Sequence, residues 1–169
     1  SSKYKSMILK FDGVKSYVGL DFFRASASDI VADLNKKLPI ESGKYDVAIC
    51  ISVIEHLLEP QIASDEIYRI LKPGGYLLLT TPWVCPFHGE PHDYFRYSRF
   101  ALKYMLEKSG FKLVSVQPTG GKLRIILVFL TFWTPFFNKG VRFVGGFIPV
   151  SPILTDCSGS EFLNTPSHR

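Results

Sequence analysis

The side chains with chemistry to offer fall in four places along this 169-residue chain: Asp21, Asp33, the pair Glu55 and His56, and residues 85–98, which read CPFHGEPHDYFRYS. A carboxylate at the end of a strand can accept hydrogen bonds from both hydroxyls of a ribose, because its two oxygens match the spacing of a vicinal diol. The same acid serves equally well as a helix N-cap or a turn former, so on residue type alone Asp21 and Asp33 admit both readings. His56 taken singly fits a buried, hydrogen-bonded histidine as well as a functional one. His88 and His92 carry imidazoles, a group that can take a proton from a hydroxyl. Cys85, His88, His92 and Asp93 are all zinc-ligand types. A single cysteine beside prolines, with no second one near, does not make a zinc spacing, and no metal is expected from this run.

Those groups need a scaffold. Tyr4, Met7, Ile8 and Phe11 recur at helical spacing, which predicts a helix closing near Asp12 and Gly13. Residues 16–20 and 29–32 read as two short strands, stopping on Asp21 and Asp33. Residues 45–52, YDVAICIS, form a continuous apolar run, the pattern of a parallel strand covered by helices on both faces. Residues 59–71 place Ile62, Ile67, Ile70 and Leu71 on one side of an amphipathic helix that Lys72, Pro73, Gly74 and Gly75 terminate. A strand over 76–81, a helix over 98–109 closed by Gly110, and a strand over 111–117 follow. Strand and helix thus alternate as in a doubly wound, mostly parallel α/β sheet, where ligands bind at the carboxyl ends of the strands.

The stretches YVGLDF, DIVADLNKKLPIESGKYDVAICISVIEHLLEP and EIYRILKPGGYLLLTTP, taken in order and spacing, resemble class I S-adenosylmethionine-dependent methyltransferases over residues 17–120. The resemblance implies a Rossmann-like methyltransferase fold, here incomplete at both ends, with S-adenosyl-L-methionine as cofactor. It gives Asp21 the ribose, sets Asp33 and Leu34 beside the adenine, and runs Ile51 and Ser52 under the methionine part. Glu55 and His56 would orient the cofactor or the incoming acceptor. A subset of the family carries a similar His, Pro, Asp-Tyr-aromatic-Arg run over the active-site mouth. That makes Asp93, Tyr94 and Arg96 substrate-side candidates and His88 and His92 candidate bases.

Two features of the family pattern are not met. The glycine-rich turn that follows the family's first strand has no counterpart in these residues, and no obvious candidate exists for its final antiparallel strand. The expected organisation is a partial methyltransferase domain over 1–120 and an apolar extension over 121–169. Within the extension, residues 122–137 are strongly apolar but shorter than the roughly 20 residues of a bilayer span. A helix packed on the domain, a lid or peripheral membrane contact through 122–154, and a true span remain the alternatives there.

The formal charge of +5 is scattered without a basic run, so no nucleic-acid partner is expected. Three widely spaced cysteines argue against a disulfide framework and fit a cytoplasmic setting, with membrane association open through the apolar extension. The reading reached is methyl transfer to a small-molecule or lipid-like acceptor. The alternatives are a catalytically inactive module of the same fold, acting in membrane or protein interaction, and another nucleotide-binding α/β enzyme such as a dehydrogenase. Without the strand that bears the glycine turn, two neighbouring strands keep unpaired backbone groups. The isolated 169-residue chain is therefore expected to bind S-adenosylmethionine weakly or not at all; tight binding in calorimetry would contradict this.

Overall fold

The computed structural model describes residues 2–24, 28–118 and 158–164. Helix α1 (Ser2–Ile8) ends sooner than its apolar spacing suggested. Beyond it the Lys10 and Phe11 amides bond to carbonyls three residues back, so the chain tightens into turns. Met7 and Phe11, expected on a buried face, are exposed.

The strands at the two acids are short. β1 (Leu20–Asp21) and β2 (Ile30–Val31) form a parallel two-stranded ladder of their own, with Asp21 opposite Val31. The main sheet has the order β3-β4-β6-β5, built from β3 (Tyr45–Ile51), β4 (Leu71–Pro82), β5 (Lys112–Pro118) and β6 (Ser158–Asn164). β3 and β4 run parallel, and β6 lies antiparallel to both β4 and β5. The antiparallel strand without an obvious candidate is thus present, at SGSEFLN. Glycine and two serines hide it from any apolar-run criterion, and it is placed by the backbone hydrogen bonds that β4 and β5 both leave open. Residues 158–164 accordingly belong to the sheet, not to an extension separate from it. The apolar stretch 122–154 lies outside the described residues.

The Lys72, Pro73, Gly74, Gly75 turn survives as a bulge. Leu71 pairs with Tyr45 and Tyr76 with Val47, so residues 72–75 loop out of the ladder, with Gly74 at φ 80°. Helix α2 (Pro60–Ile70) brings Ala63, Ile67 and Ile70 inward, and α3 (Arg99–Lys108) brings Leu102, Met105 and Leu106. Except for Ile70, these side chains join Cys50, Leu77 and Leu79 in the main core. Ser98 caps α3, its hydroxyl accepting from the Ala101 amide.

Among the described residues, one face of β3 and β4 is covered. Val47, Ile49 and Tyr76, on the opposite face, are 52%, 42% and 49% exposed, against the expectation of helices on both sides. An unbroken apolar run signals that both faces of a strand suit burial; it does not supply the covering elements, and among the described residues α2 and α3 pack into a single core.

A network the sequence did not reveal fixes the approach to β3. The Glu66 carboxylate accepts from the Leu38 amide at 2.7 Å and from two nitrogens of Arg69 at 2.7 and 2.8 Å. Arg69 also donates to the carbonyls of Leu38 and Ile40. The Arg69 hydrogen bonds hold the Glu66 carboxyl below its usual range, against the opposing effect of burial. Because the folded-state value is depressed, the stability Glu66 contributes is fully present above the ordinary glutamate range and is lost as pH falls through the folded value. Glu66→Gln should cost about 2 kcal/mol at neutral pH in urea unfolding. The gap to the unaltered protein should close in acid.

Candidate functional site

β3 ends in a sharp reversal. Ser52 adopts φ 48°, rare for a residue with a side chain, while its amide bonds the Thr80 carbonyl of β4 at 2.9 Å. A single 3-10 turn, Ile54–His56, follows and drives Glu55 into the interior between buried Ile54 and Leu57. Glu55 is completely buried. Its Oε2 accepts from the Thr81 hydroxyl at 3.2 Å, whereas Oε1 has no hydrogen-bond partner among the described residues. Burial pushes the Glu55 carboxyl up from its usual value.

Two histidines turn toward that unpaired oxygen. His56 Nε2 and His88 Nε2 each lie 3.8 Å from Glu55 Oε1, and the two rings meet edge to face with centroids 4.9 Å apart. The His56 Nδ1 has a short contact with the His92 carbonyl, which can only accept, so the proton resides on Nδ1. His88 Nδ1 is 3.1 Å from the Pro86 carbonyl and 3.7 Å from Asp93 Oδ2. Arg96 Nη2 also approaches that nitrogen, at 3.4 Å.

His88 is delivered by the segment after β4, and Asp93 and Arg96 organise that segment. The Asp93 carboxylate, nearly buried, takes a two-pronged bond from Arg96 at 2.6 and 2.7 Å and accepts the His88 amide at 2.9 Å. Arg96 hydrogen bonds, chiefly, hold the Asp93 carboxyl far below the ordinary range. Arg96 further donates to the carbonyls of Pro86 and Phe95. The amides of Tyr94 and Phe95 then bond the Glu55 carbonyl at 3.0 and 3.1 Å, docking the segment onto the 3-10 turn. Gly89, at φ 70°, permits close approach here, since a Cβ would stand 3.0 Å from His56 Cε1.

Asp93 and Arg96, expected on the substrate side, thus spend their charges on each other. Tyr94 lies partly exposed, its hydroxyl 2.8 Å from His92 Nδ1, so His92 and Tyr94 sit together on the outer side. At the other carboxylates, Asp21 is exposed and among the described residues receives the Phe23 amide at 3.3 Å, while the adjoining ladder sets it two residues from Asp33 in register. Asp33 forms a turn: its Oδ1 accepts the Asn35 amide and side chain at 2.9 Å each, and Lys36 stands 3.2 Å from Oδ2. Leu34 packs between both hydrophobic clusters, and Ile51 closes β3 opposite Thr80. Thr81 was missed by sequence reasoning, as was the inward turn of Glu55, although apolar Ile54 and Leu57 on either side carried that signal.

A Rossmann-like α/β sheet with its polar side chains gathered beyond the carboxyl ends of parallel strands defines the class. Residues 8–79 match the family model described as a methyltransferase domain. Among curated relatives, a ubiquinone biosynthesis O-methyltransferase of Marinobacter nauticus is 28% identical over 74 residues, covering 44% of this chain and 29% of that protein. A probable S-adenosylmethionine-dependent methyltransferase of Mycolicibacterium smegmatis is 30% identical over 117 residues, covering 60% of this chain and 46% of that protein. The chain therefore spans less than half the length of these two relatives. Among solved structures, an S-adenosylmethionine-dependent methyltransferase from Mesorhizobium loti aligns with a TM-score of 0.53 at 13% identity, covering 87% of this chain and 79% of that one, a likeness of fold.

Replacing Asp93 by Asn removes the charge that Arg96 is built around and should destabilise the protein by about 2–3 kcal/mol. Hydrogen exchange should quicken first at the Tyr94 and Phe95 amides, where the segment docks.

Proposed function

We propose that this chain is part of an enzyme that transfers a methyl group from S-adenosylmethionine to an oxygen of a small-molecule or lipid-like acceptor. The observation that carries the reading is the group Glu55, His56 and His88, assembled beyond the carboxyl ends of β3 and β4 in a chain that matches the methyltransferase domain. The name of the Marinobacter relative supports an oxygen acceptor.

The residues present fit the nucleoside end of the cofactor. Asp21 is exposed with one weak local contact, which leaves most of its acceptor sites for the two ribose hydroxyls. Asp33 is already engaged by Asn35 and Lys36, and it retains capacity for one amine donor beside Leu34. Ile51 and the Ser52 reversal form the floor under the methionine portion. The bound cofactor supplies an activated methyl on a sulfonium, and what the protein adds is positioning of the acceptor oxygen in line. Glu55 and His56 orient that oxygen, and His88 or His92 takes its proton. Asp93 and Arg96 serve the substrate side through the segment they hold, with Tyr94 at its surface.

A lipid-like acceptor is supported by exposed aromatics that follow strand ends. Phe22 and Phe23 succeed β1, and Trp83 and Phe87 succeed β4, all more than half exposed. Among the described residues no helix is long and apolar enough to cross a membrane.

The test is methyl transfer by the intact protein carrying this chain, with labelled S-adenosylmethionine and a hydroxylated quinone or phenol of graded tail length. Asp21→Ala should raise the KM for the cofactor with kcat nearly unchanged. Loss of the proton acceptor, by His88→Ala or His92→Ala, should lower kcat by roughly a hundredfold. Unaltered turnover in both histidine variants would overturn the reading.

A further inference from the structure

Glu55 Oε1, His56 Nε2 and His88 Nε2 stand within 4.8 Å of one another. The Nδ1 of each imidazole lies against a backbone carbonyl, of His92 and of Pro86. Each ring thereby turns its Nε2 toward the same carboxylate oxygen, at 3.8 Å. That oxygen is fully buried and unpartnered among the described residues. A buried carboxylate oxygen without a hydrogen-bond partner is costly. A shared proton does not resolve this, because 3.8 Å exceeds the reach of a hydrogen bond.

We infer that Glu55, His56 and His88 form a binding site for a divalent transition-metal ion of the zinc type, with one coordination position left open toward the segment after β4. Two imidazole nitrogens and one carboxylate oxygen are a ligand set that zinc accepts, with the fourth position free for water or substrate. Metal-ligand bonds of about 2.0–2.2 Å set neighbouring donors roughly 3.3–3.6 Å apart in a tetrahedral site. Each Nε2 stands close to that spacing from Glu55 Oε1, at 3.8 Å, and the two Nε2 atoms, within 4.8 Å of each other, would draw together on binding. The carbonyls of His92 and Pro86 act as the outer partners that fix each ligating ring through its other nitrogen. Thr81 does the same for the carboxylate through Oε2. Glu55 and His56 are neighbours in the chain and His88 comes from the segment after β4, which is why residues 85–98 alone hold no zinc spacing.

The site stands independently of methyl transfer. If both hold, the ion deepens that reading: an acceptor oxygen at the open position loses its proton more readily, and His88 acts by holding the ion instead of taking the proton itself.

The experiment uses the intact protein, freed of metal by a chelator and titrated with Zn2+ by calorimetry and with Co2+ by visible absorption. One equivalent should bind, and the Co2+ spectrum should carry the intensity of a tetrahedral site. Glu55→Gln, which preserves volume, and His88→Ala should each weaken binding about tenfold or more, whereas His92→Ala, which removes an imidazole outside the trio, should leave metal affinity in place. Circular dichroism of each variant establishes that it is folded, and Zn2+ should raise the melting temperature of the unaltered protein but not of Glu55→Gln. Absence of stoichiometric binding, or binding that survives Glu55→Gln, overturns the site. The titrations read metal affinity without turnover, so the site can fail while methyl transfer stands, and the reverse.

Discussion

Burying the Glu55 carboxylate is the constraint around which the rest of the centre is arranged. A carboxylate removed from water is stable only if its surroundings replace the lost hydration, and here they do so for one oxygen, through Thr81, and leave the other facing two imidazoles. The position follows from the backbone. The Ser52 reversal ends β3, the 3-10 turn changes the helical phase, and Ile54 and Leu57 anchor the turn in the core. A helix begun directly at Ser52 would present these side chains in another phase.

The segment after β4 illustrates how charge is used inside a loop. Asp93 and Arg96 form a two-pronged pair whose remaining donors bind carbonyls of the same segment, so the loop carries its own frame. Rigidity of this kind lets a loop present a histidine at a fixed distance from a residue on another element. The segment closes onto the Glu55 carbonyl, which ties the geometry of His88 to that of the buried acid.

The scaffold distributes its stability unevenly. α2, α3, β4 and Phe111 share one dense cluster, and the Glu66 and Arg69 network locks the entry to β3. The β1 and β2 ladder stands apart from the main sheet, joined through the smaller cluster of Leu38, Ile40 and Ile70. Asp21 and Asp33 thus sit on the less extensively paired part of the fold, and the polar trio sits on the better packed part.

By itself the sequence determined the alternation of strands and helices, the boundaries of α2 and α3 to within a residue or two, and the two acids at strand ends, because apolar period, Pro60, Ser98 and Gly110 act locally. The resemblance carried by the Glu-His and Lys-Pro-Gly-Gly motifs pointed to the methyltransferase domain whose family model matches residues 8–79 for the same reason, since those motifs are contiguous. Only the tertiary structure decided that SGSEFLN fills the gap between β4 and β5, that Val47 and Ile49 of β3 are exposed, and that Asp93 is matched to Arg96. It alone brought Glu55, His56 and His88 onto one point. Such outcomes depend on hydrogen-bond partners and packing faces contributed by residues distant in the chain, and no local pattern encodes which distant group will arrive.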